Sequence, residues 1–130
     1  MDEIDRKILK LLKENARRSY VEIGKIVGLT EGAVRRRVKK LIDEGRILRF
    51  TVEVKDEIEG IILIKTHPSK TKDVARMVRR FSGKVFEVSG EFDIAALLNA
   101  STIDEINRVV DEIRRLPSVI NTNTLIKMVE

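Results

Sequence analysis

Five cations fall within six residues, Arg35, Arg36, Arg37, Lys39 and Lys40, and Val34, Val38, Leu41 and Ile42 interleave with them. On a helix of about 3.6 residues per turn, that spacing gathers the apolar side chains on one side and the cations on the rest. A guanidinium fork can donate two hydrogen bonds at once to guanine O6 and N7, and a lysine ammonium neutralises a phosphate. The chemistry implied is recognition of a polyanion. A second concentration of charge has the opposite sign: Glu87, then Glu91 and Asp93 on either side of Phe92, just after Gly90. Carboxylates in a turn suit a cationic side chain or an α-ammonium group.

The basic excess is local. Residues 1–50 hold 14 Lys or Arg against 8 Asp or Glu, a net of +6, whereas residues 51–130 hold 12 against 13, a net of −1. A footprint for a polyanion concentrates charge in this way, and a charge serving solubility alone has no reason to. The 130 residues, 42% of them hydrophobic, are enough for one modest domain or two small ones with real cores. There is no cysteine, which excludes disulfides and thiolate zinc sites. No apolar run approaches the roughly 20 residues that span a bilayer, and residues 1–15 alternate charge with Ile and Leu rather than forming a signal segment. The expected location is the cytoplasm.

Three helices are expected to position the cations. Ile4, Ile8, Leu11 and Leu12 predict a first helix from about Asp2 to Asn15, with Asp2, Glu3 and Asp5 complementing the N–H groups of its first turn. Ser19 reads as the N-cap of a second helix, Glu22 as its capping-box partner, and Ile23, Ile26 and Val27 as its inward face before Gly28 ends it. Thr30 is placed to cap the third helix, which Gly45 closes. In a helix-turn-helix the N-terminal turn of the second of the paired helices meets base edges, so Thr30, Glu31, Gly32, Arg35 and Arg36 are the candidates for sequence readout. Small Gly32 and Ala33 would let the backbone approach the groove. Arg37, Lys39 and Lys40 fall later and are candidates for phosphate contact or plain surface. Ile47 to Val54 is rich in β-branched and aromatic residues and predicts a strand. It could act as a wing on the minor groove through Arg46 and Arg49 or simply connect two domains.

After the polar hinge KDEIEG, the pattern predicts strand 61–66, helix 71–81, strand 84–89, strand 93–100, helix 102–116 with Thr102 and Glu105 as a capping box, and strand 121–129. That βαββαβ order matches a ferredoxin-like sandwich, an antiparallel sheet with helices on one side. The expected fold is therefore α+β: a winged-type helix-turn-helix domain over 1–50, a linker strand or hinge over 51–60, and a ferredoxin-like domain over 61–130. Alternating Ile, Leu and Val on the uncovered sheet face predict a homodimer through this domain. A dimer would present two helices to half-sites one helical turn, or a multiple, apart. Catalytic residues are not expected, because no phosphate loop, paired carboxylates or Ser/His/Asp set can be assembled. Nor is a metal: His67 has neither a cysteine nor a second histidine to share one with. Met77 and Phe81, at helical spacing, read as core.

In the order and spacing of its motifs, nearly the whole chain resembles the Lrp/AsnC, or feast/famine, transcription regulators of bacteria and archaea. The likeness rests on DRKILKLL (5–12), NAR (15–17), VGLT (27–30), the RV, L and GRI of 37–47, the Gly90 to Asp93 GxxD turn, and LPSVINTNTL (116–125). The resemblance implies a DNA-binding N-terminal domain and a C-terminal domain that dimerises and responds to a small amino acid. It also implies assembly to tetramers or octamers, with effectors bound between dimers. Gly90, Asp93, Thr122 and Thr124 match the family's effector region, and Glu91 joins them on the charge argument above. Lysine or arginine is the effector those carboxylates would suit, in keeping with a resemblance to lysine-responsive archaeal members. The short, acidic KDEIEG departs from the longer segment usual in the family. The partners expected are thus double-stranded DNA, a second copy of the chain and an amino acid. The alternatives are an architectural DNA-binding protein, or a stand-alone amino-acid-sensing module in which the basic helix is incidental.

Overall fold

The computed structural model describes residues 1–55 and 57–128. The chain divides into two compact units, Met1–Glu53 and Val54–Glu130.

The first unit is three helices, α1 (Glu3–Glu14), α2 (Tyr20–Val27) and α3 (Glu31–Asp43). Asp2 caps α1 through a full capping box with Asp5, so these two carboxylates supply specific hydrogen bonds as well as favourable charge. Ser19 caps α2 by accepting from the Glu22 N–H at 3.1 Å. The Glu22 carboxylate leans instead towards Arg18, at 3.8 Å, so only half of the expected box forms. Thr30 caps α3, its Oγ1 accepting from the Ala33 N–H at 3.2 Å. Between α2 and α3 the chain turns hard. Gly28 sits at φ 80°, and the N–H groups of Gly28 and Leu29 both return to the Gly24 carbonyl, at 2.8 and 2.9 Å. This brings the Leu29 carbonyl so close to Gly24 that a Cβ there would collide with it.

Ile8, Leu12, Ile23, Val34 and Val38 form the core of this unit, with Ile4, Leu11, Tyr20, Val27, Leu29 and Ile47 packed around it. Two expected core residues are outside it: Ile26 is 56% exposed and Ile42 45%. The buried stripe of α3 is centred on Val34, Val38 and Leu41, and Ile42, about 100° further round the helix than Leu41, falls at its edge. Ile26 similarly lies off the line set by Ile23, on a helix of only eight residues. The strand expected over 47–54 is also absent, since its described residues form no regular element and Leu48 and Val52 are 84% and 78% exposed. A strand needs a neighbour to receive its backbone hydrogen bonds, and none lies beside this segment among the described residues.

The second unit runs β1 (Ile58–Thr66), a 3₁₀ turn (Pro68–Lys70), α4 (Thr71–Val78), β2 (Val85–Glu87), β3 (Ile94–Ala100), α5 (Ile103–Arg114) and β4 (Val119–Ile126). The strands form one antiparallel sheet in the order β2-β3-β1-β4, the ferredoxin-like arrangement. Ile58, Glu59 and Gly60 belong to β1, because they continue its pairing with Ala100, Asn99 and Leu98, so the sheet begins inside the segment expected to be hinge. The helix expected to reach Phe81 stops at Val78, and Phe81 packs on the core from the following turn, with Met77. β2 is confined to three residues, and β4 starts two residues earlier than expected. Val129, placed at the end of the last strand by sequence, and Asp56 of the hinge lie outside the described residues. Glu105 carries the reciprocal half of its cap one residue early, accepting from the Ser101 N–H at 3.1 Å while its own N–H donates to Thr102 Oγ1.

One sheet face buries Ile62, Ile64, Ile94, Ala96 and Leu98 against Val74, Val78, Ile106, Val110 and Ile113 of α4 and α5. The register places Ile61, Leu63, Ala95, Leu97, Leu125 and Phe86 on the other face, which no described helix of this unit covers. Ile61, Leu97, Leu125 and Phe86 are exposed there. Gly60 lets β1 lie close to β4, for a Cβ at that position would stand 2.9 Å from the Leu125 carbonyl oxygen.

Candidate nucleic-acid interface and effector turn

The three consecutive arginines of α3 point in three directions about the helix axis, and each meets a different environment. Arg35 pairs with Glu31 one turn back and lies over the Tyr20 ring, 5.4 Å from its centroid. Arg36 has no ion-pair partner among the described residues. Its side chain runs back over Gly32, where an added Cβ would sit 3.5 Å from Nη1. Arg37 turns inward, its Nη1 donating to Asp2 Oδ2 at 2.7 Å and to Asp5 Oδ1 at 3.1 Å. Those bonds raise the Arg37 pKa further. The bond from Arg37 first, and then that from the Asp5 N–H, holds the Asp2 carboxyl below its ordinary range.

The remaining cations are arranged more loosely. Lys39 reaches Asp43 at 3.0 Å and Lys40 reaches Glu44 at 3.9 Å, both pairs well exposed and worth little in water. Arg46 and Arg49 lie on exposed chain beyond the helix, where the Arg46 and Ile47 N–H groups cap α3 at the Leu41 carbonyl. The Thr30 hydroxyl accepts the capping bond yet keeps its own proton to donate. The structure thus brings Thr30, Glu31, Gly32, Arg35 and Arg36 onto one end of α3. Beside them a cleft of about 420 Å³ opens between Arg36 and Lys40, with Asp2, Asp5 and Arg37 in its wall.

In the second unit Gly90 takes φ 126°, a conformation that L side chains rarely adopt, and the Val88 N–H closes the turn on the Asp93 carbonyl at 2.9 Å. Asp93 is bound into the sheet. Its Oδ2 accepts from the Thr66 N–H at 2.8 Å and stands 3.7 Å from Lys65 Nζ, and its own N–H donates to the Ile64 carbonyl. The Thr66 bond first, with the Lys65 charge in support and burial opposing, lowers its pKa. Glu87 faces Lys72 at 3.5 Å. Glu91 is the one carboxylate of the turn with no partner among the described residues. Thr122 and Thr124 stand across from Ile64 and Ile62, on the helix-covered face, with β1 between them and β3. Two strand spacings put them about 10 Å from the β3 end. Thr122 Oγ1 accepts from Arg114 Nε at 3.0 Å, whereas the Thr124 hydroxyl is buried with no partner among the described residues. A single chain therefore leaves the threonines and the Gly90–Asp93 turn apart.

The two units correspond to two domain profiles. The AsnC-type helix-turn-helix domain matches residues 1–42, and the Lrp/AsnC ligand binding domain matches residues 59–130. The chain belongs to the Lrp/AsnC family. It is 39% identical to the HTH-type transcriptional regulator LysM of Sulfurisphaera tokodaii over 97% of its own length and 94% of that protein's. The crystal structure of PH0061 superposes with a TM-score of 0.83 at 25% identity, covering 98% of this chain and 92% of that one. The transcriptional regulator NMB0573 of Neisseria meningitidis, solved as its complex with L-Met, shares the fold at 23% identity and a TM-score of 0.74, covering 100% of this chain and 91% of that one.

As an Lrp/AsnC protein, the chain is a DNA-binding transcription regulator with a ligand-binding domain. Among the residues that shape the candidate interface, Tyr20, Asp2 and Asp5 are not signalled by the sequence as partners of Arg35 and Arg37. The spacing Asp2-x-x-Asp5 signals a capping box, but nothing local signals that Arg37, more than 30 residues away, completes it. No described helix is long and apolar enough to cross a membrane.

Proposed function

We propose that the protein is a sequence-specific regulator that sets the N-terminal turn of α3 into the major groove, and that an amino acid, lysine or arginine, alters its assembly or DNA occupancy. The observation that carries this reading is Arg36. It is a guanidinium with no partner among the described residues, lying over a glycine at the end of α3 where a helix-turn-helix meets base edges. Thr30, Glu31 and Arg35 flank it, Lys39 and Lys40 are the candidates for phosphate contact, and Arg46 and Arg49 follow on the segment that could approach the minor groove. Dimerisation through the uncovered sheet face is supported by its exposed Ile61, Leu97, Leu125 and Phe86, and tetramers or octamers of the chain, built as rings from such dimers, would be the working assembly.

The effector site would combine Gly90, Glu91 and Asp93 with Thr122 and Thr124 across a contact between copies, since β1 keeps the two sets apart in one chain. Glu91 is the carboxylate best placed to take a cationic effector, because Asp93 and Glu87 already face Lys65 and Lys72. The name of the LysM relative supports lysine, and the L-Met complex of the neisserial protein supports amino acids as a class. The deciding experiment titrates labelled genomic fragments with purified protein near physiological salt, with and without each amino acid, after its mass in solution is measured. Selective binding by a multimer, shifted by lysine or arginine, is the expected result. Weak, sequence-indifferent binding that no amino acid moves would instead make this an architectural DNA-binding protein.

A further inference from the structure

Resting on the reading of α3 as the groove helix, we infer that its three arginines divide the work: Arg36 reads a base, Glu31 and Tyr20 orient Arg35, and Arg37 touches no DNA but latches α3 to the start of α1. The division follows from their surroundings. Arg37 spends one nitrogen on two carboxylates that are themselves locked into the capping box of α1, and the Asp5 side chain is only 13% exposed. A cation held in this way is already neutralised, and releasing it to a phosphate would strand Asp5 without its counter-charge. The latch joins residues 32 and 35 positions apart, so it ties the angle of α3 to α1 where neither helix could fix it alone.

Arg36 is the complement. A side chain on a helix leans towards the N-terminus, over the residue one turn earlier, and that residue here is glycine. An added Cβ at position 32 would only touch the guanidinium, at 3.5 Å, so the side chain lies directly over the helix at the groove end of α3, with its donors uncommitted among the described residues. Arg35 is intermediate. One of its nitrogens pairs with the Glu31 carboxylate and its guanidinium carbon lies over the Tyr20 ring, so both bias the orientation it offers to DNA, and Glu31 repels phosphates that approach out of register.

The test is a salt titration of operator and altered-operator binding for the full-length protein and its Arg36→Lys, Arg37→Gln, Arg37→Lys and Glu31→Gln variants, at a temperature where circular dichroism finds each folded. Arg36→Lys keeps the charge and loses the fork, so discrimination at one or two base pairs should fall about 10- to 100-fold with the salt slope unchanged. Arg37→Gln should leave the slope unchanged while discrimination falls several-fold, and Arg37→Lys should restore part of it. A latch that merely stabilised the fold would leave discrimination intact. Glu31→Gln should raise binding to unrelated DNA more than binding to the operator. A slope lower by about one unit in Arg37→Gln makes Arg37 a phosphate contact and overturns the latch. Full discrimination in Arg36→Lys overturns its reading role. Wild-type protein that binds all fragments alike fails at the earlier step, overturning both the groove reading and this division.

Discussion

The α3 surface and the open face of the sheet are both amphipathic, and they solve opposite problems. On α3 most exposed residues are charged, and several of its cations already have partners: Arg35 with Glu31, Lys39 with Asp43 and the half-buried Arg37 with Asp2 and Asp5. On the open face of the sheet Ile61, Leu97, Leu125 and Phe86 are exposed, and no described helix of the second unit covers them. A charged surface is stable in water by itself and gains specificity from how its charges are held, whereas an apolar surface of this kind remains costly until a partner removes it from water. On the proposed reading, the α3 surface can be pre-formed in one chain, whereas the open sheet face would be completed by a second copy.

The comparison can be broken most severely in the cores that support the two surfaces. Ile62→Ala in the second unit, or Ile8→Ala in the first, should cost about 2–5 kcal/mol by leaving a cavity at a fully buried position, read by denaturant unfolding. If both cost under ~1 kcal/mol, the packing described here is wrong. Next comes the open face itself. Leu97→Asp should shift sedimentation towards the monomer and weaken operator binding by about 100-fold through lost bivalency. An unchanged mass would mean that this face is not the interface. A smaller change sharpens the first unit: Gly24→Ala, forced against the Leu29 carbonyl, should destabilise by about 1–3 kcal/mol. No change in its melting temperature would show that the turn is looser than it looks.

The least expected effect concerns acid. The folded-state pKa of Asp93 is depressed by the Thr66 N–H and Lys65. Its contribution is therefore complete above the unfolded value of about 3.9 and is lost as pH falls below that, through the lower folded value. Asp93→Asn should lower the melting temperature modestly at neutral pH and flatten its decline below about pH 4, as followed by thermal melts. An equally steep acid decline in the variant would exclude Asp93 as its source. The same variant tests the effector turn. Because Asp93 joins β3 to β1, a lost amino-acid response has to be compared with Glu91→Gln, which leaves those bonds in place.

Local signals in the sequence were read well where a single element satisfied them. Ser19, Thr30 and Thr102 cap their helices, Gly28 ends α2 at positive φ, and the βαββαβ order folds as its pattern implies. Readings failed where a second element decided the outcome. Ile26 and Ile42 have helical spacing, but only the packing of three helices sets how wide the buried stripe is. The segment 47–54 has every local propensity for β structure, but it pairs as a strand with no other element among the described residues. At the candidate site, Arg35, Arg36 and Arg37 are indistinguishable as RRR, yet Arg35 meets Glu31 and Tyr20, Arg37 meets Asp2 and Asp5, and Arg36 has no partner among the described residues.

What the sequence alone determined is therefore the set of elements, their caps and breaks, the location of the basic excess and, through its motifs, the family. These depend on periodicity and on side chains within about one turn of each other, which a linear pattern contains. Only the tertiary structure decided which arginine is held and which is uncommitted, that Asp93 is bound into the sheet, and that Thr122 and Thr124 lie on the helix-covered face. The physical reason is that hydrogen bonds and ion pairs act over a few ångströms, and folding brings to that distance residues the chain separates by 27 to 35 positions.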